Sequence, residues 1–363
     1  MNKGILLILV ALVISCNQKT TFNDKIDAVF SESFSSDGPG GAVLIIKGEK
    51  IVFEKGYGLA DMNTREKITP QTLFNTGSIS KTFVSNVILD LAREGKLSLN
   101  DSIAKYFSDF KNPAIAQKVR IHHLLTHTSG LPDNRRAFLD SIFLLTAKDE
   151  ENFAPIKLND SLLFEPGSRY EYSNPAFNGL ALIIENVTGR KWQDVVKEKM
   201  FAPANMKTSV ITDGPFPNTG VSHAYLKTKD GYLEKDYGEE PTFAAAGNGG
   251  VWSSVEELAN YELALRDASF LTKKIIDDSR VIKEYPNWNS ESPAFIGYSW
   301  FIGQTPEGYK MIYHTGTQGG FFGDFVSIPE KGITYIVLCN IPTPQEEKRE
   351  LVLTLLNEFN WLD

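Results

Sequence analysis

Ser78-Ile79-Ser80-Lys81 sets a hydroxyl and an amine three residues apart. On a helix that spacing brings both to one face, one turn apart. A desolvated lysine can lose its charge and accept the serine proton, which makes the hydroxyl a nucleophile. The four letters alone are a weak signal, because Ser102-Ile103-Ala104-Lys105 and Ser108-Asp109-Phe110-Lys111 match as well. Context separates them. Ser78 follows Gly77 and opens the periodic run Ile79 to Arg93, where the helix dipole favours negative charge on its oxygen. Ser102 and Ser108 lie in a charged stretch and read as a cap and a surface residue. A plain N-cap is the alternative for Ser78 too.

Two further motifs carry polar chemistry. Tyr172-Ser173-Asn174 follows the turn Glu165-Pro166-Gly167-Ser168. A tyrosine beside a lysine and a serine can relay a proton, and Asn174 can offer both donor and acceptor to a substrate amide. A buried tyrosine followed by a turn asparagine is the alternative. Tyr285-Pro286-Asn287 shares the letters but reads as a surface loop. His314-Thr315-Gly316 is the sole His-x-Gly; it closes the run Tyr309 to Tyr313, and Gly319-Gly320 follow. Gly316 on a strand would let a ligand approach the backbone. The N–H of Thr317 then becomes a candidate oxyanion donor beside that of Ser78. His314 could carry charge or shuttle a proton; a strand-end histidine with a turn is the alternative. His122, His123 and His127 raise a metal site. However, Leu124 stands where a metallopeptidase would want a carboxylate, so no metal and no cofactor is expected.

These residues need elements to hold them. Gly41 to Ile46 and Ile51 to Tyr57 read as a hairpin around Lys47-Gly48-Glu49-Lys50. Ile79 to Arg93 and Val255 to Arg266 read as helices, with Gly95 as a C-cap. From about residue 100 to 208 the pattern is short helices and loops, punctuated by Pro132, Pro155, Pro166, Pro175 and Pro203. Strands return at Tyr298 to Gly303, Tyr309 to Tyr313, Phe321 to Ile328 and Ile333 to Leu338. A last helix runs from Glu346 to Phe359, with Leu351, Leu355, Leu356 and Phe359 on one face. Neither strand group is large enough to be stable alone. One antiparallel sheet joining both chain ends, around a helical region over about 79–265, satisfies both. The expected fold class is α+β, with sheet residues at about 40–60 and 295–340.

Composition bounds the function. The 363 residues are 42% hydrophobic and 23% charged, which excludes wholesale disorder. A net charge of −8 argues against nucleic-acid binding, which needs a basic footprint. Two cysteines, Cys16 and Cys339, exclude a disulfide scaffold. Lys3 and the apolar stretch Ile5 to Ile14 read as a signal segment ending Ser15-Cys16. That ending resembles the lipobox of bacterial lipoproteins, in which the cysteine is lipidated. The expected layout is a signal peptide at 1–15, a polar tether at 16–24 and one catalytic domain at 25–363. The lipid on Cys16 would be a membrane anchor at the bacterial cell envelope. Cys339 would be a buried strand thiol.

The ordered set Ser-x-x-Lys, Tyr-x-Asn and His-Thr-Gly resembles the β-lactamase-related serine hydrolases: class C β-lactamases, serine D-Ala-D-Ala carboxypeptidases, D-aminopeptidases and related esterases. The likeness extends to Gly56-Tyr57-Gly58-Leu59-Ala60-Asp61, Thr72-Leu73-Phe74, Leu124-Leu125-Thr126-His127-Thr128-Ser129-Gly130-Leu131 and Gly249-Gly250-Val251-Trp252-Ser253-Ser254. It implies Ser78 as acylated nucleophile, Lys81 as its activating partner and Tyr172 as general base in acylation and acid toward the leaving group. It implies that Asn174 holds the substrate amide and that His314 lines the opposite wall. The substrate it implies is a small-molecule or short-peptide acyl compound. Class C enzymes usually carry lysine where His314 stands, which favours a peptidase or esterase over a β-lactamase. A non-catalytic penicillin-binding sensor would be expected to have damaged motifs; here Ser78, Lys81, Tyr172 and His314 are intact.

Overall fold

Apolar strands that are covered on both faces read as continuous apolar runs, and the central strands of this chain's sheet are of that kind. The computed structural model describes residues 20–133, 135, 143, 146–214, 216–217, 219–234 and 244–362. The expected signal segment and Cys16 lie outside the described residues. Six strands form one antiparallel sheet: β1 (Gly41–Lys47), β2 (Lys50–Tyr57), β3 (Phe301–Gln304), β4 (Lys310–Gln318), β5 (Phe321–Ile328) and β6 (Ile333–Cys339), in the order β3-β4-β5-β6-β1-β2. The two ends of the chain meet at β1 and β6, in register from Gly41↔Cys339 to Lys47↔Ile333.

Alternation along these strands sorts their side chains into two cores. Ala42, Leu44, Ile46, Ile336 and Leu338 face one core, under helices α2 (Ser80–Arg93) and α5 (Val255–Arg266). Val43, Ile45, Tyr335, Val337 and Cys339 face the other, under α1 (Phe22–Ser33) and α6 (Gln345–Glu358). Between α2 and α5 in the chain lie α3 (Asp149–Lys157), α4 (Asn174–Thr188) and shorter pieces. Helix α2 is buried along nearly its whole length, from Ser80 to Leu91, and so binds the sheet to the helical region. After Arg93 the Lys96 N–H returns to the Leu91 carbonyl at 3.0 Å, closing the helix around Gly95 as expected. No helix among the described residues is long and apolar enough to cross a membrane.

Four differences from the sequence reading have local causes. The stretch expected as tether is already helical from Phe22. Thr21 and Asp24 form a capping box, with Thr21 Oγ1 accepting from the Asp24 N–H at 3.2 Å and Asp24 Oδ2 accepting from the Thr21 N–H at 2.8 Å. Strand β4 continues through the histidine motif to Gln318, because β5 pairs it from Ile312↔Ser327 to Gln318↔Phe321. His314 is therefore mid-strand, not strand-end. Strand β3 begins at Phe301, after Ser299 takes φ +73° and interrupts the run. In α6 the buried stripe is Val352, Leu355 and Leu356, while Leu351 is 45% exposed.

Phe22, Ile26 and Phe30 recur at helical spacing and are buried. The Phe30 ring is fully buried and lies within 6.5 Å of Phe34, Tyr57 and Tyr335. Phe30→Ala is expected to cost about 3–5 kcal/mol, as for other buried phenylalanines, read from urea unfolding. A loss below about 1 kcal/mol would show that α1 lies outside the cooperative unit.

Candidate active site

Ser78 sits in a 3₁₀ turn, Gly77–Ile79, that leads into α2. Its hydroxyl caps nothing. Instead Ser78 Oγ accepts from Lys81 Nζ at 2.8 Å and from the Tyr172 hydroxyl at 2.8 Å. The plain N-cap alternative is thereby excluded for Ser78, whereas Ser102 does cap a turn, accepting from the Ala104 N–H at 3.2 Å. Ser108 is exposed. Tyr285 is half-buried rather than a surface residue; its hydroxyl donates to the His122 carbonyl at 3.2 Å.

Lys81 is fully buried one turn below Ser78. Its amine also donates to the Asn248 carbonyl at 2.7 Å, and it lies 5.1 Å from the Tyr172 ring centre and 5.8 Å from that of Phe177. Burial holds its pKa well below the ordinary lysine value, and the nearby Arg135 guanidinium pushes the same way. The neutral amine is therefore accessible. Tyr172 keeps 36% of its surface exposed, but its hydroxyl points inward at Ser78. Burial raises the phenol pKa, and the Ser78 contact lowers it only in part. Tyr172 rests as a protonated phenol, able to donate.

The sheet edge supplies the opposite side. Gly77 has φ +51°, and a Cβ there would stand 2.6 Å from the Thr317 amide nitrogen. A Cβ on Gly316 would lie 2.0 Å from the Thr76 carbonyl oxygen and 3.4 Å from the Ser78 nitrogen. Only glycine at both positions lets β4 press against the turn that carries Ser78. The backbone amides of Ser78 and Thr317 thereby border one contact. His314 is 1% exposed; its Nδ1 lies 2.6 Å from the Thr315 carbonyl and its Nε2 has no partner. Burial, then the nearby Lys81, lowers its pKa to about 3. That shift favours the neutral ring over the charged one among the roles the sequence allowed. Asn174 opens α4, with Ser173 as N-cap, and is half-buried at the same end of the helix.

Two contributors were not singled out from sequence, and a third was raised there only as a candidate metal ligand. Asn248 holds Lys81 through its carbonyl. Asp149 is buried and braces the loop that carries Asn248. Its Oδ1 accepts from the Gly247 N–H at 2.8 Å and from Asn178 Nδ2 at 2.7 Å, and the same Asn178 nitrogen reaches Asn248 Oδ1 at 2.9 Å. Burial raises the Asp149 pKa to about 8, against those hydrogen bonds. The third is His127, whose Nδ1 accepts from the Ser173 N–H at 3.0 Å. The run Gly247-Asn248-Gly249-Gly250 before a strand was the available signal for the loop; a lone aspartate carried none. The His122 and His123 rings lie 4.2 Å apart, with His123 Nδ1 accepting from the Arg120 N–H at 3.1 Å, while His127 turns away to Ser173. Among the described residues no cluster suits a metal ion.

The family described as beta-lactamase matches residues 26–357. Penicillin-binding protein 4* of Bacillus subtilis (strain 168) is 26% identical over 313 residues, covering 83% of this chain and 68% of that protein. Protein flp of Staphylococcus aureus (strain MW2) is 28% identical over 314 residues, covering 84% of this chain but 60% of that protein. The chain thus spans well under the full length of these curated relatives. The octameric penicillin-binding protein homologue from Pyrococcus abyssi superposes with a TM-score of 0.79 at 29% identity, over 93% of this chain and 77% of that one. D-amino acid amidase from Ochrobactrum anthropi SV3 shares the fold, with a TM-score of 0.77 at 21% identity, over 93% of this chain and 99% of that one. With this fold and these matches, the chain belongs to the beta-lactamase family of serine hydrolases.

Proposed function

We propose that the protein is an envelope-anchored serine hydrolase that cleaves an ester or amide through an acyl-enzyme on Ser78, most like a D,D-carboxypeptidase, D-aminopeptidase or esterase. The observation that carries this reading is the double contact at Ser78 Oγ, from a desolvated lysine and a protonated tyrosine, each at 2.8 Å. Ser78 Oγ attacks the carbonyl carbon and its proton passes to the neutral Lys81 amine. The carbonyl oxygen, now negative, meets the N–H groups of Ser78 and Thr317. As the bond to the leaving group breaks, that group takes the proton of the Tyr172 hydroxyl, and Tyr172 is reprotonated from Lys81. Water then attacks the acyl-enzyme, releasing the acid and returning the proton to Ser78. The resemblance implies Tyr172 as base; the raised phenol pKa makes Lys81 the better acceptor in the resting site, with Tyr172 as acid.

The neutral His314 ring bears on the substrate. A D-Ala-D-Ala peptide or a β-lactam carries a carboxylate, and among the described residues His314 offers it no positive charge at this wall. Arg135 is committed to Asp133 at 2.8 Å and to Asn152. Uncharged esters and aminoacyl amides suit such a wall better. The address rests on Cys16. Thr21 already caps α1, so at about 3.6 Å per residue the chain from Cys16 to the folded body reaches no more than about 18 Å. A lipid there would hold the site close to a membrane surface.

The decisive experiment is a panel of p-nitrophenyl esters, D-aminoacyl amides, D-Ala-D-Ala peptides and nitrocefin, read against Ser78→Ala. Turnover is expected on one or more of the esters, D-aminoacyl amides and D-Ala-D-Ala peptides, with the first two preferred, and lost in Ser78→Ala; near-normal turnover in that variant ends the mechanism. Lys81→Ala and Tyr172→Phe should each lose about a hundredfold or more. Because activity needs the neutral amine and Lys81 titrates below the ordinary lysine range, kcat/KM should rise with pH to a plateau well below about pH 10. It should fall again only where Tyr172 ionises. An acid limb centred at the unperturbed lysine value would contradict Lys81 as the base. Cys16→Ser should release the protein from membranes into the soluble fraction; unchanged membrane fractionation would remove the anchor.

A further inference from the structure

The geometry points to His127 as the residue that positions Tyr172, an inference that rests on the hydrolytic reading above. His127 grips both sides of Tyr172 in the chain. Its carbonyl accepts from the Glu171 N–H at 2.9 Å, and its ring Nδ1 accepts from the Ser173 N–H at 3.0 Å. Between these two bonds its ring lies flat against the Tyr172 ring, with centres 4.4 Å apart and planes 27° apart. Phe177 backs the imidazole at 5.1 Å, and Tyr170 meets its edge at 5.9 Å.

The backbone carries a cost for this arrangement. His127 has φ +55°, a left-handed conformation that few non-glycine residues adopt and that persists where the surroundings enforce it. That conformation aims the carbonyl and the ring at the same three residues. The neighbouring bonds extend the hold: Gly167 N–H donates to the Thr128 carbonyl at 2.8 Å and Leu163 N–H to the Gly130 carbonyl at 2.8 Å. The loop before Tyr172 is thus zipped along residues 127–130, and His127 forms the end nearest the chemistry.

The ring is fully buried and kept neutral, by burial first and then by Lys81 and His314. Accepting at Nδ1 places its proton on Nε2, which has no partner. The hydrogen bonds of His127 go to the residues on either side of Tyr172 and its ring to Tyr172 itself, so it acts through Tyr172. Tyr172 is 36% exposed, and a ring with an open side needs a fixed floor to keep its hydroxyl on a serine oxygen. Misplacement of an acid by about 1 Å can cost on the order of a hundredfold.

The test compares leaving groups. His127→Asn keeps a hydrogen-bond acceptor and tolerates positive φ but removes the ring; His127→Phe keeps the ring and removes the acceptor. Both are measured beside Tyr172→Phe, with thermal melting to verify folding. On an alkyl ester or aminoacyl amide, whose leaving group must be protonated, kcat in His127→Asn should fall about a hundredfold with KM little changed. On the matching p-nitrophenyl ester, whose leaving group departs as the anion, the loss should be far smaller. His127→Phe should recover part of the loss on the alkyl ester if it folds. Adding His127→Asn to Tyr172→Phe should lower kcat no further, because there is no hydroxyl left to position. Equal losses on both leaving groups, or full additivity with Tyr172→Phe, would overturn the assignment while Ser78→Ala still abolishes turnover. Turnover that survives Ser78→Ala would instead overturn the hydrolytic reading, and this inference with it.

Discussion

The site depends on keeping a lysine amine out of water. Lys81 is fully buried, and among the described residues no carboxylate pairs with it; its bonds go to Ser78 and to the Asn248 carbonyl. A buried unpaired ammonium is so unfavourable that the group sheds its proton instead. The surroundings agree on that outcome. Arg135 repels a positive charge on Lys81, His127 and His314 are buried neutral rings in its field, and the rings of Tyr172 and Phe177 lie beside it. The nearest buried acid in the network, Asp149, is kept one residue removed by Asn178 and Gly247. A carboxylate in direct contact would stabilise the ammonium and remove the base.

That electrostatic requirement explains the architecture around it. Lys81 must be deep, yet Ser78 must reach a cleft, and one turn of helix separates them. Helix α2 satisfies both by running its whole first turn through the core and emerging at a 3₁₀ turn. Strand β4 then has to approach that turn closely enough for two amides to share one contact. The approach is possible because neither Gly77 nor Gly316 carries a Cβ. Continuous pairing of β4 with β5 through Gln318 keeps the edge straight at that point. The paired strands β1 and β6 lie on the far side of β5 and close the sheet from the other end of the chain.

Much of this was legible in the letters. The strands from Phe321 and from Ile333, the helix Val255–Arg266 and the hairpin at the N-terminal end all carry strong local patterns. Ser78, Lys81 and Tyr172 were recognisable because three motifs in one order resemble a known family; each motif's letters alone read as well as an N-cap serine or a buried tyrosine. The failures have a shared form. The α1 helix begins among polar residues, and its apolar stripe, Phe22, Ile26 and Phe30, is only three residues deep. β4 outruns its apolar pattern because pairing partners, not its own propensities, extend it. The neutrality of His314 is a property of its burial, which no string of letters records. Asp149 acts through two intermediates spaced about 30 and 100 residues away along the chain, a relation invisible to any local motif.

The site can also be divided by what holds each part. Ser78 and Thr317 belong to the sheet side, fixed by strand pairing and the glycine contact. Tyr172 and Asn174 belong to the helical side, at the start of α4 and fixed by the loop zipped to residues 127–130. Two carriers of this kind could drift relative to each other, and a hydroxyl at 2.8 Å would not survive much drift. Helix α2 joins them through the shared core, and its lysine adds a contact at the site itself. The lysine amine bonds to Ser78 on one side, and its charge-poor pocket is walled by Tyr172 and Phe177 on the other. The residue that accepts the proton therefore also touches both sides of the site, so losing it removes a base and a local contact together. Tyr172 reaches Ser78 only through its hydroxyl, and its ring is oriented by the imidazole stacked against it.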